Sequence, residues 1–163
     1  MVKNPLLKFT VEEMLRQANP TGDVYFRTTH FNKLLFIVYK RLLKRGIDIK
    51  LPYCWYRFGT LVDANTFRHE VGTPLPTYAP YNSQTISIRG VDDMGIHVSD
   101  RDEIVCEISD AIEIYKSSLY MFNLEKLKED DYSYAPLVFQ KTFNRGFVIK
   151  VESGNLGPRD TIN

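Results

Sequence analysis

An α+β, helix-dominated single domain with a small β-hairpin and a short terminal strand is the fold class this sequence predicts, and three patterns predict it. Apolar residues recur at helical spacing over residues 28–45 and again over 99–118. Ile86-Ser87-Ile88 and Ile96-His97-Val98 alternate apolar and polar side chains across the turn formers Gly90, Asp92, Asp93 and Gly95. The 163 residues, 44% hydrophobic and 25% charged, suffice to bury one sizeable core. The domain is expected over 1–152, with 153–163 (the SGNLGPRDTIN stretch begins at Ser153) as a flexible tail or the start of a linker.

The elements follow in order. Thr10 is suited to cap a helix over 10–18, with Glu13 at N3 closing a capping box and Phe9 stapled onto Met14. Asn19-Pro20-Thr21-Gly22 ends that helix. A second helix begins at Thr28 or Thr29. Phe31, Leu34, Leu35, Val38 and Leu42 form its stripe, and Phe36, Ile37, Tyr39 and Leu43 widen the apolar arc, which predicts burial on more than one side. Gly46 is placed for the left-handed position past its end.

Ile47–Leu51 alternates like a brief edge strand that Pro52 stops. The segment LPYCWYRFGTLVD follows and holds the only tryptophan. Tyr53, Trp55, Tyr56 and Phe58 cannot all point inward from one short element, so a ring is expected at a surface groove or against a later helix, with Gly59 ending the segment. Residues 63–70 suit one or two helical turns, and GTPLPTYAP suits an extended loop. Ser99 caps the next helix with Asp102 at N3, turning Ile104, Val105, Ile108, Ile112, Tyr115 and Leu119 inward. Leu124–Lys128 suits a further turn, Pro136 the first position of a helix ending near Gly146, and Phe147–Val151 a final strand.

The net charge of +1 hides a split: residues 1–81 carry 12 Lys and Arg against 6 Asp and Glu, and residues 82–163 carry 9 against 14. Such asymmetry can orient a partner or favour self-association, but it is not the concentrated basic footprint of a dedicated nucleic-acid binder. Cys54 and Cys106 are far apart and form no CxxC, so reduced thiols are expected. No stretch approaches the ~20 apolar residues needed to span a bilayer, and a cytoplasmic location is the expectation.

Chemistry-bearing patterns are sparse. His30, His69 and His97 are widely separated and form no HxxxH or HExxH arrangement. The acidic groups Asp92-Asp93, Asp100 to Glu103 and Glu129 to Asp131 suit a turn, a helix N-terminus and a solvated loop. No GxxxxGKS, GxGxxG or GxSxG sequence occurs. No catalytic residue, cofactor or metal is expected, and an enzyme is the third reading, behind two kinds of binding module.

Asn32-Lys33-Leu34-Leu35-Phe36, the Gly46 stop and Trp55-Tyr56-Arg57-Phe58-Gly59-Thr60-Leu61-Val62 together resemble the Panacea family of bacterial and archaeal proteins. That family's pattern joins a Lys-Leu-Leu-Tyr-like helix to a later aromatic Tyr-Gly-Pro-Val element. Here Thr60 stands in place of the proline and Phe36 where Tyr is common, and the acidic helix 99–118 falls in a similar place. The resemblance implies a mainly helical domain of antitoxins, proteolysis adaptors and defence-related accessory proteins, which act by binding other proteins. It carries over Lys33, Trp55, Tyr56 and Gly59 as fold or groove residues.

The expected function is therefore non-enzymatic protein interaction, with Trp55, Tyr56, Phe58 and Lys33 at the partner groove and core packing as the rival account of the rings. The alternative is a winged-helix-like nucleic-acid binder whose phosphates meet Lys40, Arg41, Lys44 and Arg45. The negative end of the helix dipole already accounts for those four cations structurally.

Overall fold

Helix α2 (Thr28–Lys44) is the element on which the others assemble. Its Phe31, Leu34, Leu35, Phe36, Ile37, Val38 and Leu42 are all buried, so the widened apolar arc is covered on more than one side. In a computed structural model of the protein, which describes residues 2–18, 28–56, 59–73, 75, 95–118 and 121–136, this helix contacts α4 (Val98–Tyr115), α5 (Leu124–Ser133) and strand β2 (Gly59–Val62). Helix α1 (Pro5–Ala18) lies along α4 and touches α3 (Ala64–Val71). Two antiparallel ladders complete the described residues: β1 (Tyr53–Tyr56) with β2, and β3 (Lys116–Ser118) with β4 (Met121–Phe122). The architecture is helix-dominated α+β, as the sequence predicts.

Helix ends are set by local chemistry. Gly46, at φ 80°, donates its N–H to Leu43 O at 3.0 Å, and Ile47 N–H reaches back to Leu42 O at 3.0 Å, so a Schellman turn closes α2 where the sequence places it. Asp63 caps α3 by accepting from Thr66 N–H at 3.1 Å, and Asn123 caps α5 by accepting from Lys126 N–H at 3.1 Å. Helix α1 starts earlier than expected. Asn4 is the cap, its Oδ1 accepting Leu7 N–H at 3.1 Å, with Pro5 at the first helical position. Thr10 is already inside the helix, and its hydroxyl donates back to Leu6 O at 2.7 Å.

Four further expectations need correction. Ile47, Ile49 and Leu51 do alternate inward, but they form no strand: Lys50 sits at φ 51° and its N–H is taken by Asp48 Oδ1 at 2.8 Å, a turn that has no ladder partner. Gly59 does not end the aromatic segment but opens β2, in register with Tyr56. Helix α4 starts at Val98 with His97 in the cap position and no side-chain cap, so Ser99 is not the cap, and Ile96-His97-Val98 is not a strand. The expected turn at 19–22, the first arm of the 86–98 hairpin, the proline-rich loop beyond Leu75, the helix and strand after Pro136 and the tail lie outside the described residues. Among the described residues, no helix is long and apolar enough to cross a membrane.

Glu12, in the middle of α1, is only 3% exposed. Among the described residues, neither of its oxygens has a hydrogen-bond partner, and the cation paired with it, Lys8 Nζ, is 3.8 Å away. Burial pushes this carboxyl from 4.5 up to about 7, against the weaker opposing pull of Lys8. Because the folded state holds the proton more tightly than the unfolded chain, stability from this group is complete below pH 4.5 and is lost as pH rises through about 7. The loss is on the order of 3 kcal/mol at 1.36 kcal/mol per pH unit. Glu12→Gln should therefore be more stable than the wild type at pH 8, with an advantage that shrinks toward pH 4.5, as urea unfolding across that range would show.

Candidate protein-interaction surface

Two side-chain clusters, one polar and interior and one aromatic and reaching the surface, meet on the first β-hairpin. The polar one begins with Lys33, on α2, which is 1% exposed, and Asp131, on α5, which is 0% exposed. Lys33 Nζ donates to Asp131 Oδ2 at 3.3 Å. In the hairpin, Trp55 faces Thr60, and Asp63 N–H donates to Pro52 O at 2.8 Å, so the ladder bonds run through the Pro52/Asp63 and Cys54/Leu61 pairs and leave the Thr60 N–H pointing outward. Asp131 satisfies it: Oδ2 accepts Thr60 N–H at 3.1 Å and Oδ1 accepts the Thr60 hydroxyl at 2.5 Å. One carboxylate thereby fastens the outer edge of β2 to α2 and α5.

The electrostatics of this centre are costly. Burial is the largest influence on both groups, holding the Asp131 carboxyl above its ordinary range and the Lys33 ammonium below its own, while each opposes the shift in the other. Gly59 makes the room for it. At φ 102°, a Cβ built there would stand 2.6 Å from Lys33 Nζ and 2.6 Å from Tyr132 Cε1, besides colliding with Asp131 Oδ2. Tyr132, whose ring centre is 5.4 Å from Lys33 Nζ, has its phenol pushed up to about 12 by burial and by the Asp131 charge. Tyr56 is half-buried nearby, its phenol raised by burial and then by Asp131.

The second cluster is built on Tyr53 and Trp55 of β1. Tyr53 and Trp55, two residues apart, both pack on Phe36 of α2, at 5.0 and 5.3 Å between ring centres. Tyr39, one turn along, stands 5.7 Å from Tyr53, and Tyr134 meets Phe36 edge-on at 5.9 Å. Lys40 Nζ lies 5.5 Å from the Phe36 centre and 5.8 Å from those of both Tyr39 and Tyr134. Phe36 and Trp55 are interior, Tyr39 and Tyr53 are half-buried, and Tyr134 is exposed. Tyr39 and Tyr53 open into a cavity of about 260 Å³ with Leu51, Pro52 and Thr66 among its walls.

The expected groove residues are thus redistributed. Trp55, 3% exposed, is a wall of the core, and Lys33 is the interior cation, so neither presents an open contact surface. Tyr56 borders the polar centre, and Phe58 lies outside the described residues. Of the cations offered to nucleic acid, Arg41 Nη2 and Arg45 Nε both bind the buried Glu107 of α4, each at 3.0 Å, and Lys40 caps the rings. Only Lys44 is an exposed member without such a described role. The opposite charges of the two halves of the chain are in this way partly spent on each other across α2 and α4.

His30 is buried, and His69 and His97 are exposed on α3 and at the start of α4. Among the described residues, Cys54 and Cys106 form no disulfide, and no His, Cys, Asp and Glu grouping able to hold a metal occurs. Asp131, Tyr39 and Tyr53 are the site residues sequence reasoning missed or left unassigned. Asp131 sits in an acidic run that reads as solvated surface, and its only signal was its helical spacing from the apolar Leu127. No family model, curated protein or solved structure matches the chain.

Gly59→Ala should destabilise the fold by about 2–4 kcal/mol, since it combines left-handed backbone strain with a collision at a closed polar centre. Gly72→Ala, at φ 86° with nothing within 4 Å of its Cβ, carries the strain alone and should cost about 1 kcal/mol. Chemical denaturation of the two variants measures the difference.

Proposed function

We propose that this chain is a non-enzymatic protein-interaction domain, of the kind found in antitoxin-like and defence-associated accessory proteins, working in the cytoplasm. The observation that carries the reading is that the aromatic cluster reaches the surface at Tyr39 and Tyr53, beside a concave opening, on a buried support formed by Phe36 and Trp55. Tyrosine offers large contact area with few rotatable bonds, and anchors of this kind dominate binding energy when they flank a cavity.

The Panacea-like pattern adds support from a second direction. Its helix lysine and its glycine after the aromatic run, Lys33 and Gly59, converge on Asp131, so two positions 26 residues apart in the sequence serve one packing requirement. The departure at Thr60 has a local reason: a proline there would have no N–H to donate to Asp131. Nucleic-acid binding, the second reading, has lost Arg41 and Arg45 to Glu107.

Affinity capture of the tagged full chain from its native host tests the proposal. A stoichiometric protein partner is expected, released by Tyr53→Ala with a loss of about tenfold or more in affinity. The melting temperature should fall less than in Trp55→Ala, whose interior ring leaves a core cavity. Recovery of nucleic acid instead, with binding that weakens steeply with salt, would replace this reading by the second one.

A further inference from the structure

We propose that the cavity between Tyr39 and Tyr53 receives one cationic side chain, arginine or lysine, from the partner protein. The inference rests on the interaction reading above and specifies its chemistry. At about 260 Å³ the cavity lies below the roughly 300–1,000 Å³ of small-molecule sites, which suits a single side chain better than a cofactor. Its two tyrosine rings, 5.7 Å apart between centres and inclined at 51°, form two non-parallel walls. Ring faces attract cations, and these rings already belong to a cluster that holds an ammonium, that of Lys40.

The rim supplies charge of the matching sign. Among the residues lining this cavity, Asp48 and Glu70 set two carboxylates against the one ammonium of Lys50. Asp48 stands close enough to Tyr39 that its charge adds to burial in raising that phenol. Asp48 Oδ1 accepts Lys50 N–H at 2.8 Å and Glu70 Oε2 accepts Asn4 Nδ2–H at 3.4 Å. Among the described residues, the second oxygen of each has no hydrogen bond of its own, which leaves two acceptors for a guanidinium or ammonium. Leu51 and Pro52 provide apolar wall for the aliphatic stem such a side chain carries. A phosphate or carboxylate ligand would meet the same two carboxylates and be repelled.

The test is an NMR titration of the full chain with N-acetyl-arginine N-methylamide, using the neutral near-isostere N-acetyl-citrulline N-methylamide as control. The arginine compound should shift the Tyr39 and Tyr53 ring signals saturably, and citrulline should bind about fivefold more weakly or worse, the scale of one cation–π contact. Asp48→Asn, which keeps an acceptor for the Lys50 N–H, should weaken arginine binding by a similar factor of about five, and Lys50→Met should strengthen it by about twofold or more. Equal binding of citrulline, saturable shifts centred elsewhere, or insensitivity to both substitutions would overturn the proposal. If the arginine compound fails to bind while Tyr53→Ala still releases the native partner, the cation pocket is wrong and the interaction surface stands. If Tyr53→Ala releases nothing, the interaction reading itself is wrong.

Discussion

An ammonium and a carboxylate buried together in the middle of a small domain impose a strict condition on everything around them. Alone, either charge would cost several kcal/mol to remove from water, and their attraction offsets this only with close geometry and with partners for the remaining polar atoms. Lys33 and Asp131 meet that condition through Thr60, which gives Asp131 both an N–H and a hydroxyl. Three elements distant in sequence, α2, β2 and α5, are brought to one point, and only a glycine at position 59 leaves space for the point to close.

Fixing β2 also fixes β1, since the four-residue ladder sets Tyr53 opposite Val62 and Trp55 opposite Thr60. Strand alternation then sends Tyr53 and Trp55 to the Phe36 side. Phe36 lies three residues, just under a turn, beyond Lys33 on α2, so the polar centre and the aromatic cluster are neighbours on one helix. The inner rings of that cluster pack the core, and the outer ones, Tyr39 and Tyr53, line the cavity rimmed by Asp48, Lys50 and Glu70. The candidate surface is in this sense a consequence of how the interior charge is satisfied.

Much of the fold was legible because it depends on local rules. The apolar arc of α2, the glycine stop at Gly46 and the inward face Ile104, Ile108, Ile112 and Tyr115 of α4 all follow from period and turn chemistry. The start of α1 was also written locally, in Asn4-Pro5, but Thr10 and Glu13 offered a competing capping pattern inside the helix. The hairpin at Tyr53–Val62 carries no Asn-Gly or Asp-Gly signal, and is held instead by a long-range partner, Asp131. The site was legible in part. The aromatic run marked the right neighbourhood, yet which ring faces inward depends on the register with β2, and the value of Lys33 depends on a carboxylate 98 residues away. The charge split between the halves similarly foretold attraction, but not that Glu107 would absorb Arg41 and Arg45.

The most direct measurement on the interior pair is a double-mutant cycle by urea denaturation with Lys33→Met, Asp131→Asn and the two combined. Asparagine retains an acceptor for the Thr60 N–H, so the cycle isolates the charge pairing. Each single variant leaves a buried charge without its partner and should cost about 3–5 kcal/mol, whereas the double variant, with both charges gone, should cost less than the sum of the two by about 2 kcal/mol or more. Additive costs, or single variants as stable as the wild type, would mean that the pair does not hold the hairpin to the helices.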